Sequence, residues 1–392
     1  MNDGKISIIG YYGYANVGDE AILTCLVSQL RRMELDGRIV VFTARPEATA
    51  KTLKVNTVAA ALPREWYMYV VGFLGRHRKH FYRTIQTFRT ASALIVGGGG
   101  LFQDHPESNR HLHDLLFKIR WAKNLDQKVI LFGVGVGPIH YRRSADEIRD
   151  VLNRVDLITV RDEESHRLLN EIGVSGPEIH TTADFVFLLD PAPKKRIDTI
   201  AIAEGIDSAK APNIAVSIRA EDAAKPDFRE SLLTLCRHLI DKHDARLWFV
   251  PMQTGGGEDD CSGAHSIIED LNRPDHTRIT WIKHTPPELM GLLERANAVI
   301  GEKLHSIIFA INNHRPVLGI SYQSKIENLF AEIGHPDWCL KLENVTGDNL
   351  IERFDSIWSD RERIAREMKA IHDTMRVKAL LNFTYLTDIM MR

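Results

Sequence analysis

Cysteine is scarce in this chain. Its 392 residues include only Cys25, Cys236, Cys261 and Cys339, and no two of them form a C-x-x-C pair. Such scatter argues against a disulfide framework or a structural zinc site and favours reduced thiols in the cytoplasm. Long apolar runs are missing as well. Nowhere do about 18 apolar residues pass without a charge, so no membrane-spanning helix is expected. The opening residues 1–5 run straight into an apolar stretch at 6–9, with no apolar signal region before it. An excess of one charge is absent too, since 50 Lys and Arg face 52 Asp and Glu for a net charge of −2. No global field then draws the chain to nucleic acid, and any affinity for anions must be local. G-x-G-x-x-G, Walker, H-E-x-x-H and G-x-S-x-G patterns do not occur, which removes the commonest signatures of dinucleotide, nucleotide, zinc-protease and serine-hydrolase sites.

What is present is a regular alternation of apolar strand-like runs and helix-period segments. The first series lies at residues 6–9, 38–42, 93–96, 129–134, 157–160 and 179–181, the second at 213–218, 246–251, 278–281, 298–300 and 317–320. Most of these runs are continuously apolar, as parallel strands buried on both faces must be. Amphipathic segments between them, such as 21–32 and 228–243, fit crossover helices. The composition turns to Pro and charge at residues 190–196, which reads as the start of a linker extending to about residue 212. The expected architecture is α/β, with two Rossmann-like doubly wound domains, 1–195 and 212–360, facing one another across a cleft. A helical tail over 361–392 would cross back. In open α/β sheets ligands gather at the carboxyl ends of the strands.

Several segments at those ends could carry chemistry. After the run 296–300 comes Gly301-Glu302-Lys303-Leu304-His305-Ser306, followed by Ile307, Ile308 and Ile311 at helical spacing. A cation and a histidine thus stand where a strand gives way to a helix N-terminus, a place that favours anions. The loop at 10–20 holds Gly10, Gly13 and Gly18, with Asn16 or Asp19 as a helix cap. It is either a ligand-contacting loop or a tight turn. Gly97, Gly98, Gly99 and Gly100 follow the run 93–96, where four glycines either admit a ligand or form a hinge. The third glycine segment, 133–138, has the same placement or lets backbones pack closely.

Arg161 and Arg219 close the runs 157–160 and 213–218, where a guanidinium can grip a carboxylate or phosphate. Asp162 reads as a helix cap or as a partner for Arg161. Residues 255–260 hold three carboxylates that suit Mg²⁺, or else start a helix capped by Asp260. Residues 66–89 mix aromatics with Arg76, Arg78, Lys79, Arg83 and Arg89, as in a membrane-surface helix or a lid helix with its aromatics in the core.

Taken in order, the segments resemble the polysaccharide pyruvyl transferase family. They are 10–23 (GYYGYANVGDEAIL), 96–104 (VGGGGLFQD), 133–138 (GVGVGP), 160–165 (VRDEES), 184–187 (DFVF), 216–219 (VSIR), 304–310 (LHSIIFA) and 316–325 (PVLGISYQSK). The resemblance implies two domains arranged as in GT-B glycosyltransferases. It also implies transfer of pyruvate from phosphoenolpyruvate to a sugar diol, giving a cyclic ketal and free phosphate. A catalytic Arg-Leu-His motif corresponds to Lys303-Leu304-His305, where lysine keeps the charge but not the planar fork.

On that basis His305 is the expected general acid and Lys303 the group that offsets charge on departing phosphate. Asp19 and Asp104 are candidates for the base or for acceptor binding. Arg161, Arg219, Gly13, Asn16, Gly18, Gly98, Gly99, Gly100, Ser306 and Lys325 are expected at the substrates. His305 also has a plain structural reading, as a histidine satisfied by a carbonyl at a helix start. No metal or organic cofactor is expected. The partners are a phosphoenolpyruvate donor and a saccharide acceptor, lipid-linked if the basic stretch marks contact with the inner membrane face. Nucleic acid is not among them, and the expected location is cytoplasmic or peripheral at that membrane. Two other functions stay open: a GT-B glycosyltransferase using a nucleotide-sugar, and a non-catalytic sugar-binding scaffold of envelope assembly.

Overall fold

A computed structural model describes residues 4–60, 78–106, 109–206, 211–255, 259–280 and 284–391. The chain divides into two compact units: residues 1–14, 22–188 and 376–392 in the first, and 15–21 with 189–375 in the second.

The first unit is built on a seven-stranded sheet. Its strands are β1 (Lys5–Ile9), β2 (Ile39–Thr43), β3 (Asn56–Ala59), β4 (Ala91–Phe102), β5 (Lys128–Val136), β6 (Leu157–Val160) and β7 (Ile179–Thr181). All pairings are parallel, in the order β3-β2-β1-β4-β5-β6-β7. The second unit has six parallel strands: β8 (Asn213–Ser217), β9 (Arg246–Phe249), β10 (Thr277–Ile279), β11 (Ala298–Gly301), β12 (Val317–Ser321) and β13 (Cys339–Lys341). Their order, β10-β9-β8-β11-β12-β13, repeats the first sheet's 3-2-1-4-5-6 pattern. That is the doubly wound Rossmann arrangement, and the strand order reverses between β1 and β4 and again between β8 and β11.

Continuous hydrophobicity follows from burial on both faces. Every residue of β2, β8, β11 and β12 is buried. Each large apolar side chain so placed contributes about 1.5–3 kcal/mol relative to exposure. Helices between the strands bury one face; Pro226–His243 does so with Phe228, Leu232, Leu235, Cys236 and Leu239. The last helix, Arg361–Met391, belongs to the second unit up to Met375 and to the first from Arg376.

The structure departs from the sequence-based expectation at several places, among them Gly133 and Gly135, which lie inside β5. Strands β3 and β13 were not expected; Asn56–Ala59 and Cys339–Lys341 are short and too polar to stand out. Gly97, Gly98, Gly99 and Gly100 are not a loop but lie inside β4, which runs on to Phe102. The segment expected as linker contains the helix Lys194–Ala203, which buries Ile197, Ile200 and Ala201. The helix at residue 260 is capped by Asp259, whose side chain accepts the Cys261 N–H, and not by Asp260.

Candidate active site

The switch point of the second sheet brings the ends of β8 and β11 side by side, with Ser217 registered against Gly301. Arg219 follows β8, and Glu302, Lys303, Leu304 and His305 follow β11. In an open parallel sheet this crevice is where ligands are held.

Lys303 is extended (φ −93°, ψ 132°) and is the N-cap residue of the helix Leu304–Asn312. Its carbonyl accepts the Ser306 N–H at 3.0 Å and the Ser306 hydroxyl at 2.6 Å, so this buried hydroxyl, expected at a substrate, fastens the helix start. The Lys303 ammonium is itself buried, 3.4 Å from Gln253 Oε1 and 3.6 Å from Asp260 Oδ1. Asp260 Oδ2 accepts the backbone N–H groups of Met252 and Gln253 at 3.1 and 2.9 Å. Burial raises the Asp260 carboxyl above its ordinary range, with Lys303 and these N–H groups acting against the rise.

The chain's first helix, Val17–Arg32, begins in this same unit. Asn16 Oδ1 accepts the N–H groups of Gly18 and Asp19 at 2.9 and 3.2 Å, so Asn16 is the cap. Its amide donates to Gln253 Oε1 at 2.9 Å, and Val17 N–H donates to the Met252 carbonyl at 2.8 Å. Gln253 therefore joins Asn16 to Lys303. Gly18 comes so close to His305 that an added Cβ would lie 2.0 Å from Nδ1. His305 is half-buried, as is Asp19 in the first turn beside Gly18.

Arg219 donates to Asp222 at 2.7 Å and to Glu221 at 2.6 Å, while its guanidinium stacks on Tyr322 with 4.1 Å to the ring centroid. Lys325 approaches the same ring at 5.1 Å. Glu302 Oε2 accepts the Arg219 backbone N–H at 2.7 Å. The second unit therefore gathers Asn16, Gly18, Asp19, Arg219, Lys303, His305, Ser306 and Lys325. It adds Gln253, Asp222 and Tyr322, together with Asp260, expected as a helix cap or metal carboxylate, and Glu302, which lies within the expected corner. Tyr322 lies in a segment that the family resemblance marks; Gln253 and Asp222 have no motif to reveal them.

The remaining expected residues lie in the first unit. Arg161 is buried between Asp162 at 3.4 Å and Asp184 at 3.5 Å, and it lies on Gly135, where a Cβ would meet the guanidinium at 2.7 Å. Asp162 caps the helix Glu163–Glu171 by accepting the Ser165 N–H. Asp104 is buried, with its carboxylate oxygens accepting the N–H groups of His140 and Tyr141 at 2.7 and 2.9 Å. Gly13 has φ +86° and packs against Thr43 and the Arg45 N–H. Gly98, at φ +44°, leaves room for Ile22 and Phe185, and Gly99 also has positive φ. Gly100 is the exposed glycine of the four. Close packing therefore accounts for Gly13 and Gly98. Arg161, Arg219 and Lys303 are each met by carboxylates.

Among the described residues His238, His243 and Asp355 place possible metal-ligand atoms within 4.8 Å of one another. The Lys242 ammonium already lies 2.7 Å from Asp355. The acidic segment at 255–260 and the basic stretch at 66–89 fall partly outside the described residues: 256–258 and 66–77 are not described. No described helix is long and apolar enough to cross a membrane.

Two parallel doubly wound sheets, the second with charged residues at its switch point, define an α/β protein of two Rossmann-like units. The sequence profile of the polysaccharide pyruvyl transferase family matches residues 16–324, and the chain belongs to that family. It is 20% identical to the amylovoran biosynthesis protein AmsJ of Erwinia amylovora, over 95% of this chain and 96% of AmsJ. Among solved structures it resembles Anabaena Alr3699/HepE in complex with UDP and glucose, at 11% identity and TM-score 0.63 over 99% of each chain. It also resembles a glycosyltransferase from Rickettsia africae, at 11% identity and TM-score 0.63 over 99% of this chain and 98% of that one. The UDP-GlcNAc 2-epimerase of Methanocaldococcus jannaschii gives 13% identity and TM-score 0.61, over 90% of this chain and 92% of the epimerase. These likenesses define the fold and leave the reaction to the site.

Proposed function

We propose that the protein transfers pyruvate from phosphoenolpyruvate to a saccharide diol, forming a cyclic ketal and releasing phosphate. The observation that carries this reading is the grouping of Arg219, Lys303 and His305 at the switch point between β8 and β11. Phosphoenolpyruvate offers a carboxylate and a phosphate to that corner. His305 stands at the N-terminal turn of a nine-residue helix, with Gly18 against its ring.

In the proposed sequence His305 gives a proton to the methylene carbon of the donor, making a methyl group and leaving positive charge at C2. A sugar hydroxyl attacks C2 and loses its proton to a base. The C2–O bond to phosphate breaks, and the leaving group takes that proton from the base as it departs beside Lys303. A second hydroxyl then closes on C2, its proton passing through the base to restore His305, and the ketal is complete. Asp19 is placed one residue from Gly18 for the base role. The Asp104 carboxylate is already held by two backbone N–H groups. No step in this sequence calls for a metal.

The test is a thermal-shift titration with phosphoenolpyruvate, alongside pyruvate, phosphate, UDP and GDP. A ligand of the native state raises stability by about 2.7 kcal/mol at a hundredfold excess over Kd. The expected result is a shift selective for phosphoenolpyruvate, together with phosphate release that His305→Ala lowers by about a hundredfold or more without unfolding the protein. A shift with UDP or GDP alone would replace this reading with a nucleotide-sugar glycosyltransferase, a class suggested by the fold shared with UDP-bound Alr3699/HepE. Wild-type turnover by His305→Ala would end the acid assignment.

A further inference from the structure

Glu302 lies between β11 and the Lys303-Leu304-His305 corner and is 0% exposed. Its Oε2 accepts the Arg219 N–H, while Oε1, also out of solvent, accepts no N–H or O–H from the groups around it. The neighbour is Asp222, likewise 0% exposed; its Oδ2 accepts the guanidinium of the same Arg219 whose backbone N–H goes to Glu302, so the two buried carboxyls meet at one residue. Two ionised carboxylates offer only acceptors, so a hydrogen bond between them requires one proton.

The ion pairs decide which residue carries it. Asp222 is met by the Arg219 guanidinium and the Lys225 ammonium, both at 2.7 Å. Arg219 reaches Glu302 through its backbone N–H. Burial, and then the hydrogen bond and charge of Asp222, push the Glu302 carboxyl well above its ordinary 4.5. Burial also acts to raise Asp222, but the hydrogen bond from Glu302 and the charges of Lys225 and Arg219 outweigh it and hold Asp222 low. Around the pair stand Arg219, Glu221 and Lys225 after β8, and Asp260 from the helix Asp260–Leu271. Lys303 and His305 flank Glu302 on its own segment, and Tyr322 and Lys325 follow β12.

We propose that Glu302 is a positioning residue of this site: a proton shared with Asp222 fixes Arg219 against the corner that carries Lys303 and His305. The sharing has an electrostatic consequence. With Glu302 neutral, Asp222 is the single buried carboxylate set against the Arg219 guanidinium and the Lys225 ammonium at this point. Ionising Glu302 adds a negative charge beside the donor corner and sets two buried carboxylates against each other. An anionic donor is then held less well, a consequence that rests on the donor reading above.

The experiment compares the full-length wild type with Glu302→Gln and Glu302→Leu. Glutamine keeps an acceptor for Arg219 and supplies a permanent donor to Asp222; leucine supplies neither. Above pH 4.5 the unfolded chain releases this proton while the folded chain keeps it, so Glu302 makes stability fall as pH rises. The melting temperature of Glu302→Gln relative to wild type should therefore climb from about pH 5 to about pH 8. An infrared carboxylic-acid band present in the wild type at neutral pH should be missing from the variant. A constant temperature gap without such a band overturns the shared proton, and both readouts stand whatever the donor is.

Phosphate release from phosphoenolpyruvate should fade on the alkaline side in wild type, persist there in Glu302→Gln, and drop about tenfold at every pH in Glu302→Leu. Wild-type kinetics in Glu302→Leu would overturn the positioning role. If the wild type releases no phosphate at any pH, the donor reading fails, while the melting and infrared arms still decide the proton.

Discussion

Gly18 lies directly against the imidazole of His305, and a Cβ built on this glycine would stand 2.0 Å from Nδ1, 2.7 Å from Cγ and 2.8 Å from Cε1. The helix start at Asn16 and the corner at Lys303 are fixed from both sides, one by its cap and the other by β11. Relief must therefore come from the ring.

Gly18→Ala should consequently turn or push the imidazole out of place. Overpacking of this kind costs about 1–3 kcal/mol of stability. A misplacement near 1 Å costs about a hundredfold in rate. Phosphate release in Gly18→Ala should thus fall toward that of His305→Ala, with the donor-induced thermal shift retained in part. Wild-type turnover in Gly18→Ala would show that the ring's position does not matter to the reaction.

Lys303→Met removes the charge opposite Asp260, whose side chain is 1% exposed. Leaving a buried carboxylate without its cation costs about 3 kcal/mol, to be read from the denaturant midpoint. The loss should grow with pH, because Asp260 is ionised more fully as pH rises. Donor affinity should fall with it. Lys303→Arg should keep both, since the charge is retained and the family's fork restored. A Lys303→Met protein as stable as wild type would show that Asp260 is neutral in the fold.

In the first unit, Asn382 of the last helix is completely buried. Its Oδ1 accepts the hydroxyls of Thr159 and Thr182 at 2.6 and 3.0 Å, and its amide donates to the Ala183 carbonyl at 3.1 Å. Asn382→Leu takes the amide donor from the Ala183 carbonyl and leaves the Thr182 hydroxyl to the Val160 carbonyl, and should cost about 1–3 kcal/mol, with the denaturant slope unchanged. Truncation after residue 375 should cost more, because residues 376–392 belong to this unit.

The sheets were readable in the sequence because parallel strands buried on both faces need uninterrupted apolar residues, as at Ile39–Thr43 and Val317–Ser321. Edge strands such as Asn56–Ala59 and Cys339–Lys341 bury less and carry a weaker pattern. The glycines of β4 were visible, but their purpose was not. Whether Gly98 makes room for a ligand or for Phe185 depends on residues 87 positions apart in the chain.

The sequence by itself determined the alternation of strands and helices, the family, and the corner Lys303-Leu304-His305, since each is written in contiguous residues with a local physical cause. Only the tertiary structure decided the company those residues keep. Gly18 and His305, Gln253 and Lys303, and Asp222 and Glu302 are distant in the chain, and no local pattern couples them. They meet because the strand order reverses between β8 and β11 and because the first helix begins in the second unit. At that meeting point Asp222 faces two cations and Glu302 a backbone N–H, a difference that no stretch of sequence shows.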